Sequence, residues 1–254
     1  THANGQINYG TTYYFNATNG IYSWTHMYPA SANEDAQIRT EIGNGVALAN
    51  YTAHGYSDGW GDPTFDKADI PAMNNAHQYP LMIGNACLTN TFNDPECFGE
   101  ALLRANLKGA VGYIGGSNST YWDEDFYWGV GVRATINANP VYDANNLGAY
   151  DRTWHITGEP FSEWFVSQGQ MILAGNLAVL EGSPTSFDYY SEIYHLMGDP
   201  SLMIYLSVPS QLTVTHPALV PLGQNTINIT TEPYAYVGVS QNGVWHGAGM
   251  ADAS

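Results

Sequence analysis

The chain has 254 residues, enough for one large α/β domain or for a medium-sized domain followed by a small one. Hydrophobic residues make up 44% of it and charged residues only 11%, a composition that excludes an intrinsically disordered chain. The 23 acidic residues outweigh 6 lysines and arginines, giving a net charge of −17. This balance excludes nucleic acids and anionic membranes as partners, because both require a basic protein surface.

Neither a membrane span nor a disulfide framework is indicated. No apolar run reaches the roughly 18 residues that a spanning helix requires. Two cysteines, Cys87 and Cys97, are too few to form a framework in a chain of this size. The chain begins at Thr1 without the pattern of a signal peptide, which predicts a mature or processed fragment.

The first half of the chain alternates between strand and helix patterns. Strands are predicted by weak signals at Tyr9–Phe15 and Gly20–Trp24, and by apolar runs at Val46–Ala53, Pro80–Ala86 and Gly109–Gly115. Helices are predicted at Asn33–Glu41, Asp69–Ala76 and Cys97–Asn106. This succession predicts a parallel α/β sheet, in which active-site residues lie outside the carboxyl ends of the strands.

The second half changes character after Pro209. Before it, the pattern predicts helices at Phe161–Leu180 and Tyr189–Leu196 and a strand at Ser201–Leu206. After it, four alternating segments are typical of an immunoglobulin-like sandwich: Gln211–Pro217, Asn225–Thr231, Tyr234–Ser240 and Val244–Gly249. Such a sandwich needs ~100 residues. The 45 residues from Ser210 to Ser254 therefore predict an incomplete domain, or one that is not a sandwich.

His54 and Cys87 each end a predicted buried strand, so a parallel sheet would bring them to the same edge. A thiolate with an imidazole in reach can attack a carbonyl and pass a proton to the leaving amine. The amides of Gly55 and Cys87 could then stabilise the oxyanion. Three alternatives stay open: Cys87 as a core residue, Cys97 as a thiol activated at a helix start or merely packed, and a Cys87–Cys97 disulfide.

An acidic and aromatic segment, SNSTYWDEDFYW at 117–128, follows the third predicted strand. One interpretation is a cation pocket in which Trp122 lines an aliphatic stem and Asp125 lies at the base. A solvated loop, or a calcium site using Asp123 and Glu124, is equally compatible with the pattern. The histidines lack zinc-site spacing, so no catalytic cofactor is expected, and a structural calcium or sodium ion is left open.

Five segments taken in order resemble the gingipain family of cysteine peptidases, most closely its lysine-specific member. They are NYTAHG at 50–55, GNAC at 84–87, CFGEALLRA at 97–105, the run that starts GAVGYIGG at Gly109, and MGDPSLM at 197–203. The resemblance covers nearly the whole chain and includes Pro217–Ser254. It implies a caspase-like parallel-sheet fold over residues 1–208 and an incomplete immunoglobulin-like domain over residues 209–254.

The resemblance also implies roles for individual residues. Cys87 matches the nucleophile and His54 the general base, with the Gly55 and Cys87 amides as oxyanion hole. Asp125 matches the carboxylate that receives the substrate lysine, and the pocket wall is matched by Trp122, Tyr121, Thr52 and Asn85. The implied activity is that of a secreted or surface-bound bacterial endopeptidase that cleaves after lysine in protein substrates.

Two parts of the family pattern fall outside this chain: the acid that orients the histidine and the first half of the caspase-like domain. We therefore expect a second chain from the same precursor to supply both. Three rival interpretations are an arginine-preferring or mixed peptidase, a non-catalytic module for adhesion or haem capture, and a calcium-stabilised structural domain.

Overall fold

A computed structural model describes residues 1–30, 34–154, 158–205 and 210–253. The chain divides into two compact units, Thr1–Val208 and Pro209–Ser254. No helix in the described ranges is both long and apolar enough to cross a bilayer.

The first unit is built on a four-stranded mixed sheet. Its strands are β1 (Leu48–Thr52), β5 (Leu81–Asn85), β6 (Gly112–Gly116) and β7 (Tyr194–Gly198), in the order β1-β5-β6-β7. The first three are parallel, and β7 joins β6 antiparallel. A small antiparallel sheet follows β1 and consists of β2 (Gly55–Tyr56), β3 (Gly59–Gly61) and β4 (Thr64–Asp66).

Seven α-helices belong to the described part of this unit. They are α1 (His2–Tyr13), α2 (Asp35–Gly43), α3 (Phe98–Arg104), α4 (Trp122–Val130), α5 (Ala149–Thr153), α6 (Gln168–Gly182) and α7 (Phe187–Ile193). The sheet separates two apolar clusters. Leu81, Ile83 and Ile114 point into the cluster built with α1 and α4 to α7, whereas Met82 and Tyr113 point into the one built with α2, α3 and the small sheet. Burial on both faces explains why β5 and β6 are nearly continuous apolar runs.

The parallel core agrees with the sequence prediction. The apolar runs at Val46–Ala53, Pro80–Ala86 and Gly109–Gly115 contain or overlap β1, β5 and β6, and the helix predicted at Cys97–Asn106 contains α3. The helix predicted at Asn33–Glu41 overlaps α2, although Asn33 itself lies outside the described residues.

The strands predicted in the first 25 residues are wrong. Residues 2–13 form α1, and Gly20–Trp24 lies outside any helix or strand. Ala3, Gln6 and Tyr9 are buried at the three-residue spacing of one helix face. That face packs against the rest of the unit, so tertiary contacts override the low helix propensity of this Asn-, Gly- and Thr-rich segment.

The helix predicted at Asp69–Ala76 is also wrong, because only a 3₁₀ turn at Ile70–Ala72 forms there. The carboxylate of Asp69, expected to lie near the helix start as its cap, instead accepts a hydrogen bond from the Asp66 amide at 2.9 Å and pairs with Arg39. A side chain that is engaged in this way does not cap a helix.

Two later boundaries differ as well. The helix predicted from Phe161 begins only at Gln168, where Ser167 and Gln170 form a reciprocal capping box. The helix predicted at Tyr189–Leu196 stops at Ile193, because Tyr194 starts β7.

No strand forms over 201–205, the described part of Ser201–Leu206. This segment instead runs back along the start of α6, where the Ile204 amide donates to the Val166 carbonyl at 2.8 Å. The strand that completes the sheet is β7, which precedes the predicted one.

The second unit contains one hairpin in its described residues, β8 (Tyr236–Gln241) and β9 (Val244–Met250). Asn242 and Gly243 form its turn with φ of +50° and +77°, as expected for an Asn-Gly hairpin turn. The other two predicted strands are represented only by an isolated bridge between Thr215 and Thr230. The hairpin confirms two of the four strands but not the sandwich.

Candidate active site

The carboxyl ends of β1 and β5 lie side by side and form an edge that we call the rim, residues 53–55 and 86–87. Thr52 pairs with Asn85 in parallel register, and His54 and Cys87 each follow two residues later. A Cβ built on Gly55 would lie 2.7 Å from the carbonyl oxygen of Cys87. The backbone that follows His54 therefore packs directly on the backbone of Cys87.

Cys87 is a half-buried free thiol whose sulfur contacts Thr120. The Thr120 amide donates a hydrogen bond to Sγ at 3.3 Å, and the thiol donates to the Thr120 carbonyl at 3.6 Å. Cys97 is also free, so the alternative disulfide is not formed. Because the hydrogen bonds of Cys87 go to Thr120, the thiol is not hydrogen-bonded to His54 within the described residues.

His54 carries an exposed imidazole at the rim. Its ring meets the ring of Trp122 edge to face, with centroids 5.3 Å apart, and the ring of Tyr28 at 6.5 Å. The hydroxyl of Tyr51 donates to the His54 carbonyl at 2.6 Å and fixes the backbone beneath the ring. The imidazole and the indole of Trp122 therefore border the same space above the rim.

Asp125 is a buried carboxylate in the first turn of α4, with 5% of its surface exposed. Its Oδ2 accepts a hydrogen bond from the Thr120 hydroxyl at 2.7 Å, and its Oδ1 accepts one from the Tyr190 hydroxyl at 3.0 Å. Burial raises the pKa of Asp125 to about 7, although both hydrogen bonds act in the opposite direction. The solvated-loop interpretation is therefore wrong for Asp125, which lies in a helix and is shielded from water.

Thr52 and Asn85 are buried and belong to a polar network that reaches Asp125. The Asn85 amide group donates to the Asp125 backbone carbonyl at 2.7 Å and to Gln6 Oε1 at 2.9 Å. Gln6 in turn donates to the Thr52 hydroxyl at 2.8 Å, and the Tyr194 hydroxyl donates to Asn85 Oδ1. Asn85 therefore contacts Asp125 directly, whereas Thr52 is linked to it through Gln6 and Asn85, and both predicted wall residues are buried rather than at an open surface.

Tyr121 and Trp122 lie on the open side of the same segment, 50% and 37% exposed. The ring of Tyr121 packs against Tyr189 with centroids 5.8 Å apart, and Trp122 also contacts Tyr28 at 6.0 Å. Tyr121, Trp122 and Asp125 thus belong to one short segment, in which the two aromatic rings are exposed and the carboxylate is buried.

Several residues of the site are not predicted from the sequence. Thr120 and Tyr190 hold the carboxylate, Gln6 links α1 to β1 and β5, and Tyr28 packs beside His54. The link between Tyr190 and Asp125 spans 65 positions and that between Gln6 and Asn85 spans 79, so no local pattern reveals them. For Thr120 the signal was available, since it lies inside the acidic and aromatic segment already singled out.

Two other sequence expectations concern Cys97 and the acidic pair Asp123 and Glu124. Cys97 is fully buried at the start of α3, and burial raises the pKa of its thiol, so the activated-thiol alternative is wrong. Asp123 pairs with His2 at 2.7 Å, and Glu124 accepts hydrogen bonds from Ser183 and Ser186. Among the described residues, no three His, Cys, Asp or Glu side chains are grouped so as to hold a metal ion.

A free cysteine and a histidine at the carboxyl ends of adjacent parallel strands are groups that a cysteine hydrolase can use. The comparison with known families identifies the class of protein. The chain belongs to peptidase family C25, whose model matches residues 2–205.

Relatives and solved structures agree with this family. Lys-gingipain HG66 of Porphyromonas gingivalis is 36% identical over 98% of this chain, which spans 14% of that protein. Gingipain R1 of the same organism is 25% identical over 82% of this chain, covering 20% of its own length.

A solved protease structure matches 98% of this chain and 55% of its own, with a TM-score of 0.80 and 34% identity. The Arg-specific cysteine proteinase gingipain R matches 86% of this chain and 47% of its own, with a TM-score of 0.67. At 22% identity this second likeness shows the fold alone. The chain therefore spans about half of the solved structures that it matches.

Proposed function

We propose that this chain carries the nucleophile, the general base and the specificity pocket of a cysteine endopeptidase that cleaves after lysine. One observation carries the proposal. Thr120 donates its hydroxyl to the buried carboxylate of Asp125 and its amide to Cys87 Sγ. A single residue, Thr120, therefore separates a cation bound at Asp125 from the thiol.

The proposed pocket fits a lysine side chain. Trp122 would line the aliphatic stem and Asp125 would pair with the ammonium group, since a cation removed from water requires a charged partner. Thr52 and Asn85 would support the pocket floor through Gln6, and Tyr121 would form its outer wall.

The chemistry proposed at the rim is acyl transfer to sulfur. The Cys87 thiolate attacks the carbonyl carbon, and the amides of Gly55 and Cys87 donate to the oxyanion. The carbon–nitrogen bond breaks as His54 transfers its proton to the leaving amine. Water then hydrolyses the thioester and regenerates the thiol. The reaction requires a hydrogen bond between the imidazole and the sulfur, which the described residues do not form.

An arginine-preferring or mixed peptidase is the second candidate, because gingipain R1 is also a relative. Two observations favour lysine. The identity to Lys-gingipain HG66 is higher, at 36% against 25%. Each oxygen of Asp125 already accepts one hydroxyl hydrogen bond, which suits a compact ammonium better than the two-pronged contact of a guanidinium.

The test compares Asp125→Asn with Cys87→Ala on fluorogenic lysine and arginine substrates. Asp125→Asn should lose roughly 3 kcal/mol or more of transition-state binding to lysine substrates, and Cys87→Ala should abolish turnover with the fold intact. Wild-type-like cleavage after lysine by Asp125→Asn would exclude the pocket, and faster cleavage after arginine would favour the second candidate.

We further propose that the protein is secreted or surface-bound and matured from a longer precursor. Another chain of that precursor would complete the catalytic domain and orient His54, and residues 209–254 would be part of an immunoglobulin-like domain. This chain covers only 55% and 47% of the solved relatives, which supports the proposal that another polypeptide supplies the rest of the catalytic domain. Mass spectrometry of the purified enzyme should find the second polypeptide, and its absence would contradict this arrangement. Calcium or sodium would have a structural role only. Removing calcium with a chelator, or exchanging sodium for a bulky organic cation, should then lower the melting temperature.

A further inference from the structure

Thr120 contacts both functional ends of the site at once. Its hydroxyl donates to Asp125 Oδ2 at 2.7 Å, and Cys87 Sγ is contacted by its amide at 3.3 Å, its carbonyl at 3.6 Å and the hydroxyl oxygen itself at 3.8 Å. It is half-buried and lies between the residues that end β6 and those that begin α4. One residue therefore links the carboxylate to the sulfur.

The carboxylate has two states with different consequences for Thr120. An ionised Asp125 accepts a charge-assisted hydrogen bond from the Thr120 hydroxyl, whereas a proton on Oδ2 weakens or reverses that bond. Burial raises the pKa of Asp125 to about 7, so both states are populated near neutral pH. A bound ammonium would fix the ionised state and hence the stronger bond.

The other groups around Asp125 reinforce this link. The Tyr190 hydroxyl donates to Asp125 Oδ1 and accepts a hydrogen bond from the Tyr121 amide at 2.7 Å. Glu124 adds a like charge, which favours the protonated state until a cation arrives. Thr120 through its hydroxyl, and the Tyr121 amide through Tyr190, are thus connected to the two oxygens of one carboxylate.

We propose that Thr120 is a positioning residue that couples the binding of a cation at Asp125 to the reactivity of Cys87. The proposal rests on the proposed function, because it takes Cys87 as the nucleophile and Asp125 as the base of the pocket. An occupied pocket strengthens the hydroxyl bond of Thr120, holds its amide against Sγ and stabilises the thiolate. A substrate with the correct side chain thereby activates the sulfur that attacks it.

The experiment measures alkylation of Cys87 by iodoacetamide in the enzyme matured from its full-length precursor, with peptide mass spectrometry to separate Cys87 from Cys97. n-Butylamine, which corresponds to the side chain of lysine, is titrated to saturation, and 1-butanol is the uncharged control. The variants are Thr120→Val, which lacks the hydroxyl, and Thr120→Ser, which retains it. Thr120→Ala replaces the valine variant if thermal unfolding shows that Thr120→Val does not fold.

We expect butylamine to accelerate alkylation of the wild type about fivefold, the usual difference between a charge-assisted and a neutral hydrogen bond. Butanol should have no such effect. Thr120→Ser should keep the acceleration, and Thr120→Val should lose most of it while butylamine still inhibits lysine cleavage. Its kcat should fall by about tenfold with a smaller change in KM.

Two results would overturn the coupling. One is wild-type acceleration in the variant without the hydroxyl. The other is a wild type that does not respond to butylamine although Asp125→Asn abolishes lysine preference, which leaves the proposed function standing. If Asp125→Asn leaves lysine cleavage unchanged, the proposed function itself fails and the coupling fails with it.

Discussion

Under the proposed function, the carboxylate of Asp125 should determine how the preference for lysine depends on pH. Burial raises its pKa to about 7, and an ammonium binds only the ionised form. Preference for lysine should therefore decrease about tenfold per unit as the pH falls below about 7. The measurement is the ratio of kcat/KM for a lysine substrate to that for its norleucine analogue, in which ionisations of Cys87 and His54 cancel. A ratio independent of pH would contradict this assignment.

Tyr190→Phe tests the cause of that dependence. The Tyr190 hydroxyl donates to Asp125 and lowers the pKa of the carboxyl, so its removal should move the inflection of the ratio to higher pH. Tyr189→Phe is the matched control, because the Tyr189 hydroxyl donates instead to the Ser119 carbonyl at 2.9 Å. Equal shifts in the two variants would show that the hydrogen bond to Asp125 is not responsible.

The sequence predicts single residues well where their positions depend on strand geometry. His54 and Cys87 reach the same rim because each follows a buried parallel strand by the same number of residues. The sequence cannot predict partners that come from distant helices, such as Tyr190 on α7. The sequence also does not decide the environment of Asp125, because the same acidic residues suit both a solvated loop and a buried pocket.

Among the structural elements, the contact between β2 and the end of β5 should be the most sensitive to side-chain volume. A Cβ on Gly55 would meet the Cys87 carbonyl at 2.7 Å and the Ala86 Cβ at 2.8 Å. Because those neighbours are backbone and a short side chain, Gly55→Ala should separate the two segments and lower the stability by roughly 1–3 kcal/mol.

Activity should fall more steeply than stability in Gly55→Ala, because the displaced segment carries His54. Melting temperature and kcat/KM measure the two effects. Gly249→Ala on β9 is the control, since nothing lies within 4 Å of its added Cβ, and both values should stay near those of the wild type. Full activity in a folded Gly55→Ala would exclude the close packing at the rim.

The predicted type of element is correct where the element is buried on both sides. It is wrong where the choice between helix and strand depends on the packing partner. The apolar runs of β5 and β6 are typical of strands in a parallel sheet that is buried on both faces. The weakly helical α1 forms because Gln6 and Tyr9 are buried against other elements. The antiparallel edge β7 takes residues that continue the pattern of α7, and only pairing with β6 distinguishes strand from helix there.

At the scale of the whole molecule, the small number of lysines bears on whether the protein is cleaved by its own kind. The sequence contains only Lys67 and Lys108. Lys67 Nζ pairs with Asp58 at 2.6 Å, and Lys108 Nζ donates to the Pro71 carbonyl at 2.6 Å.

The backbone amides that follow the two lysines are hydrogen-bonded too. The Ala68 amide donates to the Asp66 carboxylate, and the Gly109 amide donates to the Asn75 side chain. Neither lysine can extend into a pocket without breaking these contacts.

Under the proposed function, we therefore expect the folded chain to resist cleavage by the active enzyme. Inactive Cys87→Ala protein, incubated with active enzyme, should stay intact when native and be cut after Lys67 and Lys108 once heat-unfolded. Asn75→Ala in the inactive protein frees the Gly109 amide and the turn that contains Lys108, so native cleavage should appear at that bond alone. Mass spectrometry of the fragments identifies the bonds. Equal cleavage of native and unfolded protein would show that the contacts of the two lysines give no protection.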